Sequence, residues 1–124
     1  DFATKRITGF RGQGTQFASG KDMPPPGGMP GGRLVVSSNG TVANTGVVWG
    51  TYPVQGDANA NVVPGALVAY DATKLNNGML RQLFHSDAKP ADKMGAFAKY
   101  STPVVANGKV YVGTFSNKVV QYGL

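Results

Sequence analysis

The chain has 124 residues, a formal net charge of +6 and no cysteine, which fits one modest domain and excludes disulfides and thiolate metal sites. Its 18 glycines and 8 prolines, with aspartate as the only acidic residue, call for many turns and few long helices. The 12 basic residues are scattered, which argues for a solvated basic surface over a nucleic-acid face, and no apolar run approaches the roughly 20 residues of a transmembrane helix.

The opening residues show no signal-peptide apolar core, so a chain starting at Asp1 reads as a processed product, a fragment or the ordered part of something longer. Residues 1–32 form an amino-terminal extension. Lys5–Phe10 could make one short strand. Residues 11–32 read as a long surface loop, because Met23–Gly32 holds four prolines among glycines and such a run cannot occupy a central strand. A solvated connector is the plainer reading and a contact surface the sharper one.

Strands begin at Arg33. Leu34–Ser37 is a β-branched run, closed by the turn signal Ser38-Asn39-Gly40. Val47–Tyr52 is the second run and stops at Pro53. A polar loop through Asn61 leads to the third, Ala66–Tyr70. Asp71–Gly78 reads as a turn region, and Met79–Phe84 as the fourth strand, though its residues also suit a helix. The lysine-bearing stretch 85–99 is polar, with one helical turn expected over Asp92–Tyr100. Then Thr102–Ala106, the Asn107-Gly108 hairpin turn, Lys109–Thr114, a turn at Ser116-Asn117 and Lys118–Tyr122 give three more strands.

The two halves are alike in order. In each, a strand ends in Asn-Gly, a second follows, and a third ends in an aliphatic run and tyrosine, Leu67–Tyr70 and Val119–Tyr122. Blade repeats run at about 40–45 residues, so the longer spacing here calls for insertions at 53–65 and 85–99, which cost little on a surface. Pro103–Thr114 followed by Lys118–Leu124 resembles the carboxyl-terminal blade of bacterial pyrroloquinoline-quinone-like repeat propellers. Gly32–Gly40, Gly46–Gly50 and Pro64–Ala72 resemble the blade before it. The likeness covers about residues 30–124. It implies an all-β fold of antiparallel four-stranded blades, with 33–85 and 100–124 as about two blades of a partial β-propeller and 86–99 as the connecting loop. In that family an Ala-x-Asp turn, here Ala69 to Asp71, precedes a glycine and a docking tryptophan. Gly78 comes late, Phe84 stands at the tryptophan position, and Gly123 stands where the last blade would carry aspartate.

No catalytic, cofactor-binding or metal residue emerges from this chain. His85 is the only histidine and, with Asp87 alone beside it, reads as an exposed loop residue and not as a ligand. Asp57, Asn59 and Asn61 alternate like calcium ligands but lack the closing glutamate, so Asx turns are the better reading. Gly12 and Gly14 lack the strand-to-helix setting of a phosphate loop. Ser37, Ser38 and Ser116 have no histidine or acid in a usable arrangement, and Trp49 reads as packing. Quinone-binding members of the family use an adjacent cysteine pair, a tryptophan floor and calcium; with no cysteine here, quinone and calcium would enter only with blades supplied elsewhere.

Two blades cannot close a ring of about four to eight. Expected partners are therefore another propeller-forming chain or further copies of this one, with no nucleic acid. The resemblance implies a periplasmic or extracellular, non-catalytic scaffolding or protein-interaction role. The alternatives are the terminal part of a quinone-dependent dehydrogenase whose active site lies in other blades, and a self-contained β-sandwich.

Overall fold

The computed structural model describes residues 8–11, 15–19, 31–76 and 79–123. Among them the chain forms nine strands: β1 (Thr8–Arg11), β2 (Thr15–Ser19), β3 (Arg33–Ser37), β4 (Val47–Pro53), β5 (Gly65–Asn76), β6 (Met79–His85), β7 (Val104–Ala106), β8 (Lys109–Thr114) and β9 (Lys118–Tyr122). The helical elements among the described residues are two 3₁₀ turns, Ser86–Ala88 and Pro90–Asp92. No helix among the described residues is long and apolar enough to cross a membrane.

Strands β3 to β6 form a four-stranded antiparallel sheet in chain order, and β7 to β9 a three-stranded one. The β1–β2 hairpin joins the β6 edge of the first sheet through one parallel pair, Ser19 with Met79. This corrects the reading of 11–32 as loop throughout. Arg11 pairs with Thr15, so β1 and β2 are antiparallel neighbours, as the arms of a hairpin are. Of the short strand expected at Lys5–Phe10, residues 8–10 lie in β1, and its first residues lie outside the described ones, as do 12–14, 20–30, 77, 78 and 124.

Alternation along the strands sorts the first sheet into two faces. Tyr52, Ala66, Val68, Tyr70 and Leu80 form a buried cluster on one. The other turns toward the second sheet. There Leu67 meets Val110 and Val112 of β8 in a second cluster, with Trp49, Phe84, Val105 and Tyr122 packed around it. Phe84 and Tyr122 meet edge to face across the two sheets, with centroids 5.7 Å apart, a geometry that aromatic quadrupoles favour.

Turn chemistry explains the hairpins. Asn107 and Gly108 have φ of 51° and 70°, the paired left-handed values that a two-residue type I′ connection needs and that Asn-Gly supplies. Asn39-Gly40 behaves differently. It opens a longer connection in which the Thr45 hydroxyl accepts from the Asn39 N–H at 3.0 Å and donates to the Val42 carbonyl at 2.8 Å.

Of the turn expected at Asp71–Gly78, residues 71–76 belong to β5, while residues 77 and 78 lie outside the described residues. Tyr70 pairs with Gln82 and Leu75 with Leu80, so residues 71–74 bulge out opposite Arg81 alone and β5 then resumes. Asp71 holds the bulge. Its Oδ1 accepts from the Thr73 N–H at 2.8 Å, the Thr73 hydroxyl at 2.6 Å and the Lys74 N–H at 3.2 Å, and its Oδ2 meets Arg81 at 3.2 Å. These contacts, the Thr73 hydroxyl first, hold the Asp71 carboxyl below the usual carboxylate range; hydrogen bonding to the charged form has that effect.

The stretch 85–99 is not simply a polar surface. No helical turn forms over Asp92–Tyr100. The helical turns come earlier, with Pro90 opening the second, a position proline tolerates because it needs no N–H there. Met94 and Phe97 then enter the cluster between the sheets. Residues 95–97 also bond to both sheets through the backbone. Gly65 N–H donates to Gly95 O at 2.9 Å, Phe97 N–H to Val63 O at 2.8 Å and Phe115 N–H to Ala96 O at 3.0 Å.

That backbone approach requires a glycine at 65. A Cβ there would lie 2.9 Å from Phe97 Cβ, 2.9 Å from Met94 Cε and 3.1 Å from Phe97 Cα. Met94 can yield, but the Phe97 backbone is held by its own hydrogen bonds. Gly65→Ala is therefore expected to cost about 2 kcal/mol, as overpacked sites do, read as a lower urea midpoint at unchanged slope. A wild-type midpoint would show that the approach is not tight.

Candidate functional site

The residues singled out in the sequence separate into three places. His85 ends β6 and is half-buried, which corrects its reading as an exposed loop residue. Its Nδ1 accepts the Asp87 N–H at 3.1 Å, capping the first 3₁₀ turn. The neutral ring therefore carries its proton on Nε2 and points it at the Tyr52 hydroxyl, 2.7 Å away. Burial, reinforced by Tyr70 and Asp87, pushes the Tyr52 hydroxyl up to about 12, so it stays protonated at neutral pH. The arrangement is a structural tie between β4 and β6, with Tyr52 buried and closed to a reactant.

The loop 54–63 holds the second set. Asp57 Oδ1 accepts the Asn59 N–H at 2.8 Å, the Asx turn expected from the spacing. Asp57 O accepts the Asn61 N–H at 3.0 Å, and Asn59 O accepts from Lys99 Nζ at 3.0 Å. The loop is not free surface either, because Ala58 and Val63 tuck into the cluster between the sheets. Among the described residues, no three histidine, cysteine or acidic side chains gather as metal ligands.

The third place is a groove between β3 and β7 of about 700 Å³. Ser37, Ser38 and Asn39 line one wall, Asn107 and Gly108 the other, with Trp49 and Tyr122 between them. Trp49 Nε1 donates to Ser37 Oγ at 2.9 Å, and the Tyr122 hydroxyl donates to Asp92 O at 2.9 Å. Burial pushes the Tyr122 hydroxyl up to about 12, with the Ser86 hydroxyl opposing that rise. Both rings are thus held in place by their polar ends. Ser116 lies elsewhere, accepting the Ala96 N–H at 3.0 Å. The groove escaped sequence reasoning because its walls lie some 70 residues apart in the chain; the recurrence of Asn-Gly after the first strand of each half was the one available signal.

Comparison with family models, curated proteins and solved structures finds no match for this chain. The site must therefore be interpreted from its own geometry.

Proposed function

We propose that the chain supplies two neighbouring blades of a β-propeller of the pyrroloquinoline-quinone-like repeat type and serves as a scaffold or protein-interaction element. One observation carries this reading: a four-stranded and a three-stranded antiparallel sheet, each in chain order, stack face to face with their first strands, β3 and β7, side by side. Adjacent blades meet in this way around a central axis. Phe84, at the family's docking-tryptophan position, packs against Tyr122 of the second sheet, which supports the same reading.

The first sheet's outward face is already buried over Tyr52, Val68 and Tyr70, so the case for further blades rests on its β3 edge and on the second sheet. Leu34 and Val36 on the first sheet and Val104 and Val119 on the second are exposed, Val119 at 72%. Among the described residues β9 has no strand on its outer side. Unpaired edges and apolar faces of this kind call for cover. Another propeller-forming chain, further segments of a longer polypeptide or further copies would complete the ring, in the periplasm or outside the cell.

Light scattering of the native particle beside denaturing mass spectrometry tests the proposal. Chains of 12.9 kDa are expected in a particle several times heavier. A stable, well-folded monomer of that mass would overturn it in favour of a self-contained sandwich. Visible quinone absorption in the heavy particle would replace the scaffold role with that of a dehydrogenase's terminal part.

A further inference from the structure

We propose that the groove between β3 and β7 binds a neutral, hydroxyl-rich ligand, a saccharide. Its volume of about 700 Å³ lies in the range of small-ligand sites. None of the described residues lining it carries a charge. An ionic ligand would therefore give up water with no counter-charge in return. A wholly apolar ligand would strand the amides and hydroxyls of Asn39, Asn107 and Ser37. A sugar meets both demands. Each hydroxyl both donates and accepts, as each asparagine amide does, and the C–H face of a pyranose suits the negative face of an aromatic ring.

The groove is also organised before any ligand arrives. The Trp49 indole is anchored by Ser37, and Asn107 sits in a tight turn at φ 51°. Among the described residues, no hydrogen bond engages the side-chain amide of Asn39 or Asn107. A site whose groups are already placed loses less freedom on binding. This inference stands on the groove alone and does not require the ring to be a propeller.

Trp49 is the chain's single tryptophan, so labelling this chain with 5-fluorotryptophan places one ¹⁹F reporter in the groove. The labelled native particle would be titrated with maltohexaose, cellohexaose and chitohexaose, and with hexagalacturonate as the charged control. At least one neutral sugar is expected to shift the Trp49 resonance saturably, and the charged one to leave it in place. Asn107→Gly removes the amide while keeping a residue that accepts positive φ. It should weaken binding about tenfold with the ligand-free resonance unmoved. The proposal is overturned if no neutral sugar moves Trp49, if hexagalacturonate binds as tightly, or if Asn107→Gly binds like wild type.

Discussion

Leu67→Ala is expected to lower stability by about 4 kcal/mol, toward the upper end for buried leucines. Leu67 is 0% exposed and belongs to the cluster that draws on β5, β8 and the 94–97 segment. Relaxation around the lost methyls is limited on both sides, because the backbones of both sheets are hydrogen-bonded to that segment. Val68, the next residue, is as deeply buried but points into the other cluster. Val68→Ala is expected to cost about 2–3 kcal/mol, with two side-chain carbons removed rather than three. The paired variants separate stability from sheet contact. Trp49 packs against the Leu67 cluster and not the Val68 one, so its fluorescence should shift in Leu67→Ala alone. Equal shifts in both variants would refute the assignment of the two faces.

Asp71→Ala is the second large effect, about 3 kcal/mol at neutral pH. It strips partners from the Thr73 and Lys74 N–H groups and from the Thr73 hydroxyl, and hydrogen bonds to a charged group contribute about 1.5–3 kcal/mol. Arg81 adds little, since its side chain is 61% exposed and exposed ion pairs contribute weakly. The sign of the pH dependence follows from the lowered Asp71 carboxyl. The unfolded chain binds the proton more readily, so this stabilisation is fully present above the unfolded value of about 3.9. It is lost as pH falls through the lower folded value. Urea titrations of wild type and Asp71→Asn should thus differ by a constant amount from pH 7 to about 5 and converge below about pH 4. A gap that persists unchanged at pH 2 would mean that the charge is not what holds the bulge.

Most of the seven strands β3 to β9 were legible as β-branched or aromatic runs between turn residues, β6 being the exception with residues that also suit a helix, and the Asn107-Gly108 turn was legible as a hairpin turn. Four features were not. Thr15–Ser19 is short, and the glycines and prolines around it dominated the composition. Continuation of β5 beyond Asp71 depends on a side chain folding back onto its own backbone, which looks like a turn in one dimension. Met94 and Phe97 lie three apart in a lysine-bearing stretch, a spacing that mimics a helical turn. What buries them is two sheets distant in sequence. His85 failed for the same reason, since Tyr52, its partner, lies 33 residues away.

The backbone bonds of residues 95–97 bear on how the protein comes apart. Gly65 and Phe97 tie this segment to the first sheet, and Phe115 ties it to the second. Opening either sheet from that side breaks bonds that anchor the other. Local openings usually follow contiguous cooperative units, and here the unit spans the boundary between the two sheets. The amide protons of Gly65, Phe97 and Phe115 should therefore exchange with solvent through one shared opening. The pair of sheets should then open as a single foldon.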